Sequence, residues 1–411
     1  MRIIATLTAA VALVMAASAM TGAKAAAFHS MKVMKEGDFM SPPVVRLGSD
    51  DRISINFDEW TEDYSDLQYR LVHCNSDWQP SRLLESEYLD GFNIADVEDW
   101  AYSSNTFVHY VNYQIFLPNE HMNPTVSGNY IVQIFNRDDP DTVLAEARFA
   151  VAEQVVETTG RMTTQTDRGV NDAWQQLELE LTPTDVSISD PYSEVTLRVS
   201  QNGDPATESV ISAPSRMDGK RLVYSHQPQL IFKAGNEFRR FESVRTNYND
   251  MHVDSVRYMG SNYHVWLTPD GERADQEYSY DETQQGRFLI REYNSTDSNL
   301  GADYVTVHFR LEVPEVADAD VHVAGEFTGY SPDSGNRMHY DHSEGAYLLE
   351  MPLKQGSYNY RYVAVPRGNG KPDSSLIEGD KHETRNEYRV QVWYRPVAAR
   401  CERLLSDTTL R

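Results

Sequence analysis

Apolar residues in this chain recur at every second position, in short runs that Gly, Pro, Asn and Asp cut off. Val305, Val307, Phe309, Leu311 and Val313 are the cleanest case. Ile53, Ile55 and Phe57 repeat it, as do Val111, Tyr113, Ile115 and Leu117, then Leu177, Leu179 and Leu181, and Val195, Leu197 and Val199. Period two puts all of these on one face of a strand. A strand that is apolar on one face needs a second sheet to bury it. Helical periodicity is scarce, and the 24 tyrosines favour strands. The expected fold is therefore all-β, built of immunoglobulin-like sandwiches.

The chain opens with a different kind of segment. Arg2 precedes an apolar run, Ile3 to Met20, and Ala23-Lys24-Ala25 supplies a small-residue cleavage pattern. Residues 1–25 read as a cleaved secretory signal peptide. No cysteine follows the cleavage pattern directly, which argues against a lipid anchor, and no later run approaches the ~20 apolar residues of a membrane helix. Roughly 385 residues remain, enough for two or three domains. The net charge is −25, and removal of Arg2 and Lys24 makes the exported chain more acidic still. Such a surface repels nucleic-acid phosphates and anionic lipid. It favours solubility, or a basic partner surface. Two cysteines are too few for a disulfide framework. A Cys74–Cys401 bridge stays open, but Cys74 reads better as a small buried apolar residue.

Turn grammar divides the exported chain into three sandwiches. The first spans 28–152, with strands at Ile53–Phe57, Leu67–Val72, Val111–Leu117 and Tyr130–Phe135. The second spans 153–301, with a turn at Gln201-Asn202-Gly203, where Asn-Gly supplies positive φ. The third spans 302–396 and includes the alternating Tyr358, Tyr360 and Tyr362. Residues 397–411 read as a frayed polar tail.

Catalytic signatures are missing: the chain has no G-x-S-x-G, H-E-x-x-H or P-loop pattern. His73 and Cys74 are neighbours in a strand and point to opposite faces, so they do not form a nucleophile pair. Asp138, Asp139 and Asp141 could offer oxygens to calcium, but they read better as a solvated hairpin tip. His339 and His342 lack further ligands at metal-site spacing. No catalytic, cofactor or metal site is expected. The third unit, with V-H-V-A-G-E-F-T-G-Y-S from Val321, resembles the early-set sandwiches that bind glucans. Tyr330 stands where those modules often carry a Trp, and Trp393 is the one Trp within 302–396.

Beyond these, a set of short words recurs in a fixed order over nearly the whole exported length. The first unit carries H-C-N-S-D-W-Q-P at 73–80, E-Y-L-D-G-F-N at 87–93, L-P-N-E at 117–120 and S-G-N-Y at 127–130. The second carries Gln201-Asn202 and G-N-E-F-R at 235–239. The third carries D-Y-V-T-V-H-F at 303–309, K-Q-G-S-Y-N-Y at 354–360, Glu378-Gly379-Asp380, T-R-N-E-Y at 384–388 and V-W-Y-R-P at 392–396. Each is partly turn grammar, but in their order over three units the chain resembles the plug protein family of the type IX secretion system of Bacteroidota. The resemblance implies a non-enzymatic, monomeric periplasmic protein at the inner side of the outer membrane. Its partner would be the giant outer-membrane β-barrel translocon, whose periplasmic opening it closes when no substrate is engaged. No nucleic acid, small-molecule substrate or direct membrane insertion is expected.

The resemblance does not say which residues touch the barrel. The stretch from Trp78 to Phe92 concentrates aromatics and charges, so Trp78, Arg82, Glu85, Glu87, Tyr88 and Phe92 are the candidate partner-binding residues. The competing reading is that Trp78, Tyr88 and Phe92 pack this loop onto its own sandwich. A glycan-binding sandwich protein is the alternative function.

Overall fold

A computed structural model describes residues 28–368 and 370–411. The leader expected at 1–25 lies outside the described residues. The fold is all-β, with helices of a single turn only, such as Glu85–Tyr88 and Ser298–Gly301. No helix among the described residues is long and apolar enough to cross a membrane.

The first sandwich faces two sheets across one core. One sheet runs His29–Lys35, Ile53–Glu59, Val111–Leu117, Asp99–Tyr102; the other runs Val44–Arg46, Asp139–Ala152, Gly128–Asn136, Leu67–Cys74, Ala95–Asp96. Alternation decides what is inside: Ile53, Ile55 and Phe57 meet Leu71, Tyr130 and Phe149. Burying a side chain of this size is worth about 1.5–3 kcal/mol.

The middle sandwich departs from the boundaries drawn above. Its first sheet is local, with Val156–Thr163, Trp174–Pro183, Arg221–Tyr224 and Arg216–Asp218. Its second sheet runs Ser209–Ile211, Val195–Gln201, Tyr388–Tyr394, Arg403–Leu410. The last two strands thus cross back from the far end of the chain. Val195, Leu197 and Val199 pack with Val390, Val392 and Leu405. The expected frayed tail is corrected: Arg403–Leu410 is a strand paired along Tyr388–Tyr394, and Leu404 and Leu405 are fully buried. The polar look of this segment came from its outward alternate residues and its neighbours Asp407, Thr408 and Thr409.

The third sandwich is inserted between those two halves of the middle one. One sheet contains Arg239–Glu242, Gly356–Pro366, Phe288–Ile290 and Ala319–Ala324. The facing sheet runs Val253–Met259, Asn262–Leu267, Tyr304–Glu312, Ala346–Lys354, His339–Asp341. Phe241, Phe288, Phe309 and the inward tyrosines Tyr358, Tyr360 and Tyr362 share its core. The unit therefore begins near 239 rather than 302 and ends before 388. Periodicity is a local signal that locates a strand; the sheet it joins is set by a distant partner, which periodicity does not encode.

At Asn202-Gly203 both residues take positive φ, 52° and 69°. Asn and Gly tolerate this region where other residues are strained. The turn does not close a two-residue hairpin, because Pro205–Thr207 intervenes before Ser209–Ile211.

Candidate functional site

The stretch after strand Leu67–Cys74 is ordered by backbone and side-chain bonds, not by a core of its own. Asn75 donates its N–H to Gln79 O and accepts from Trp78 N–H. Trp78 takes φ 64° at the turn. The Glu402 carboxylate accepts the Ser76 N–H at 2.8 Å, and Asn75 Oδ1 accepts the Glu402 N–H at 3.0 Å. Glu87 accepts the Leu84 N–H at 2.7 Å and pairs with Arg400. The segment before the last strand is thus clamped onto the first sandwich.

The six candidate partner-binding residues separate. Tyr88 belongs to the core of the first sandwich, and its hydroxyl donates to Leu71 O at 3.0 Å. Burial pushes its phenol up to about 12. Glu87 is taken up by the Arg400 clamp. Trp78 lies under the Arg148 guanidinium, 4.9 Å from the ring centre, at the wall of a cavity between units. Arg82, Glu85 and Phe92 remain at the surface, with Phe92 84 % exposed. Leu84 and Ile94, 67 % and 53 % exposed, join them as apolar surface that the sequence reading passed over. Their signal was in the sequence: Leu84 and Ile94 sit on an irregular loop, outside any alternating run.

Polar pairs join the three sandwiches. Asp58, on the outer face of the first, is 1 % exposed because the third unit covers it. It receives Lys354 Nζ at 2.6 Å, the Tyr304 hydroxyl at 2.6 Å and Asn112 Nδ2 at 2.7 Å. The Lys354 ammonium also donates to Asn299 O at 2.7 Å and lies 4.0 Å from the Tyr110 ring centre. Burial lowers the Lys354 pKa, an effect that Asp58 opposes. A buried charge of either sign is tolerated only when paired and hydrogen-bonded. Beside this pair, the Asp303 carboxylate accepts the N–H groups of Phe107 and Val108. Lys32 pairs with Glu326 across the same junction. Between the middle and third units, Arg361 pairs with Asp204, and Lys233 with Asp373 at 2.8 Å. Arg403 pairs with Glu153 at 2.5 Å next to an apolar seam of Ala150, Ala152, Trp393 and Leu404.

Inside the third unit, Arg239 holds Asp270 at 2.7 Å and Glu378 at 3.0 Å. Burial alone would raise the Asp270 carboxyl; His252, 3.2 Å away, and Arg239 outweigh it and hold it at about 2.

The glucan-site candidates are engaged elsewhere. The Tyr330 hydroxyl donates to Asn202 O at 3.2 Å, tying the third unit to the middle one. Trp393 belongs to the middle unit's sheet and is buried in the apolar seam. Trp266 is the tryptophan that belongs to the third unit, and its ring is stacked on His308 at 4.4 Å. Cys74 and Cys401 are free thiols, and His73 Nδ1 meets Ser81 Oγ at 2.8 Å. No group of three or more metal-ligating residues occurs among the described residues.

The motif words quoted above fall on this framework. Asp303-Tyr304 and Lys354-Gln355 lie at the seam between first and third units, and Arg239 and Glu378 belong to the buried network inside the third unit. The family described as "Type 9 secretion system plug protein 1st domain" matches residues 28–153, the first sandwich. The crystal structure of a hypothetical protein from Parabacteroides merdae ATCC 43184 is 36 % identical. It covers 94 % of this chain and 97 % of its own, with a TM-score of 0.91. A Pseudomonas fluorescens alkylpurine DNA glycosylase bound to DNA containing an abasic site analog matches 30 % of this chain at a TM-score of 0.16, which shows no shared fold. No curated protein matches the chain. The first sandwich, residues 28–153, thus belongs to the family of type IX secretion system plug first domains.

Proposed function

We propose that this chain is a non-enzymatic periplasmic plug that closes the periplasmic opening of the outer-membrane β-barrel translocon when no substrate is engaged. The observation that carries the reading is the family match over the first sandwich. The seams support it. A stopper has to present one shape, and buried pairs such as Asp58–Lys354 hold the sandwiches in one arrangement. Binding then rests on shape complementarity with a polar rim. The acidic surface suits a contact that must be released when cargo arrives.

Within this reading, the exposed stretch with Arg82, Leu84, Glu85, Phe92 and Ile94 forms part of the contact. The test is an affinity pulldown from detergent-solubilised outer membranes of the source cells with the tagged exported chain. A co-purifying barrel far larger than a porin is expected. Absence of any barrel, from export-blocked and growing cells alike, would overturn the reading and send the chain to a glucan array.

A further inference from the structure

A cavity of about 760 Å³ lies where the three sandwiches meet. That volume is in the ~300–1,000 Å³ range of ligand sites. Two of its walls are strand edges. One is His29–Lys35, the terminal strand of its sheet among the described residues, whose ladder runs along Ile53–Glu59. The other is the part of Asp139–Ala152 around Glu146–Arg148.

The second edge is open for a traceable reason. Ala150 donates its N–H to Pro43 O at 3.0 Å, away from the neighbouring strand Gly128–Asn136. At period two, Arg148 and Glu146 direct their N–H and C=O groups the same way. The covering strand Val44–Arg46 reaches only Ala150–Ala152. Before it come Pro42 and Pro43, which have no N–H to extend the ladder. Among the described residues nothing takes up the backbone groups of Glu146 and Arg148 on that side. Met31, Phe327 and Leu353 give the cavity apolar surface. The Arg148 guanidinium, stacked over Trp78, has no carboxylate partner among the described residues.

We infer that this slot receives an extended polypeptide segment by strand addition along Glu146–Arg148, with a carboxylate of the segment meeting Arg148. The inference rests on the plug reading and assigns the segment to the periplasmic face of the barrel. Strand addition draws affinity from main-chain bonds and specificity from alternate side chains. An acyl chain offers no donors or acceptors to the edge groups and would gain none of the main-chain bonds. A second copy of so acidic a chain is disfavoured by charge.

The test combines capture and photo-crosslinking with the full exported chain and solubilised outer membranes. Glu146→Pro removes the N–H that faces the cavity and leaves the bonds to Gly128–Asn136 in place. It should lower barrel capture at least tenfold at an unchanged melting temperature, whereas Glu146→Ala should not. Arg148→Ala should lower capture several-fold and flatten its salt dependence. A benzoylphenylalanine in place of Met31 should crosslink to one barrel segment; the same group in place of Val210, on a remote edge strand, should not. Full capture by both Glu146→Pro and Arg148→Ala would overturn the inference and leave the plug reading standing. So would a Met31-position adduct to exported cargo, lipid or a second copy of this chain. Failure of the unaltered chain to capture the barrel would overturn both.

Discussion

Replacing Lys354 by Met keeps the length of the side chain and removes the charge that faces Asp58. Asp58 is left 1 % exposed with two donors, the Tyr304 hydroxyl and Asn112 Nδ2. Removing one member of a buried pair costs about 3–5 kcal/mol. The two remaining donors put Lys354→Met near the lower end, about 3 kcal/mol. The loss falls on the seam, so it should appear first as local opening between the first and third units. The amides of Phe107 and Val108, held by Asp303 beside the pair, report on that opening. About 3 kcal/mol predicts hydrogen exchange roughly 100-fold faster there. Strands in the far core, such as Leu177–Leu181, should be unchanged. Asp58→Asn combined with Lys354→Met removes the orphaned charge and should restore most of the protection, because apolar or neutral replacement of a whole pair is often tolerated. Protection at Phe107 and Val108 within threefold of the unaltered chain in Lys354→Met would refute the reasoning. A double variant no better than the single one would refute it too.

Further outcomes follow from the same contacts. Asp270 has its folded pKa depressed from 3.8 to about 2. Its contribution, roughly 2 kcal/mol, is therefore present above pH ~4 and lost as pH falls from there to 2. Urea midpoints measured between pH 5 and 2 should decline, and Asp270→Asn should flatten the decline; an identical slope would exclude this source. Leu405→Ala, at a fully buried site of the last strand, should cost about 2–5 kcal/mol by urea unfolding. A cost under about 0.5 kcal/mol would mean that the end of the chain is frayed after all. Arg82→Ala with Glu85→Ala should leave stability within about 0.5 kcal/mol while weakening barrel capture, whereas Glu87→Ala should also loosen the Arg400 clamp, read as faster proteolysis at 397–402.

The sequence made the strands legible wherever one face is apolar. Val305 to Val313 and Leu177 to Leu181 alternate because each lies against a single core. It did not reveal that Tyr388–Tyr394 pairs with Val195–Gln201, since strand partners nearly two hundred positions apart leave no local trace. The tail misled for a related reason: Leu404 and Leu405 are two adjacent apolar residues, one facing the seam and one the core, and adjacency breaks the period-two signal. Asp58 and Lys354 were invisible because each sits on the outer face of its own sandwich, where charge is ordinary. Only the docking of two units makes them buried. The aromatics and charges of the loop from Trp78 to Phe92 serve two ends. Tyr88 and Glu87 hold it down, and Phe92, Leu84 and Arg82 are what it displays.

The central claim is closure of a pore, and conductance tests it most directly. The purified barrel would be placed in a planar bilayer and the exported chain added to its periplasmic side. The account predicts a stepwise fall in conductance that washes out slowly and is weaker with Phe92→Ser. Unchanged conductance at chain concentrations that saturate binding would contradict it, because a bound chain that leaves the pore open is not a plug.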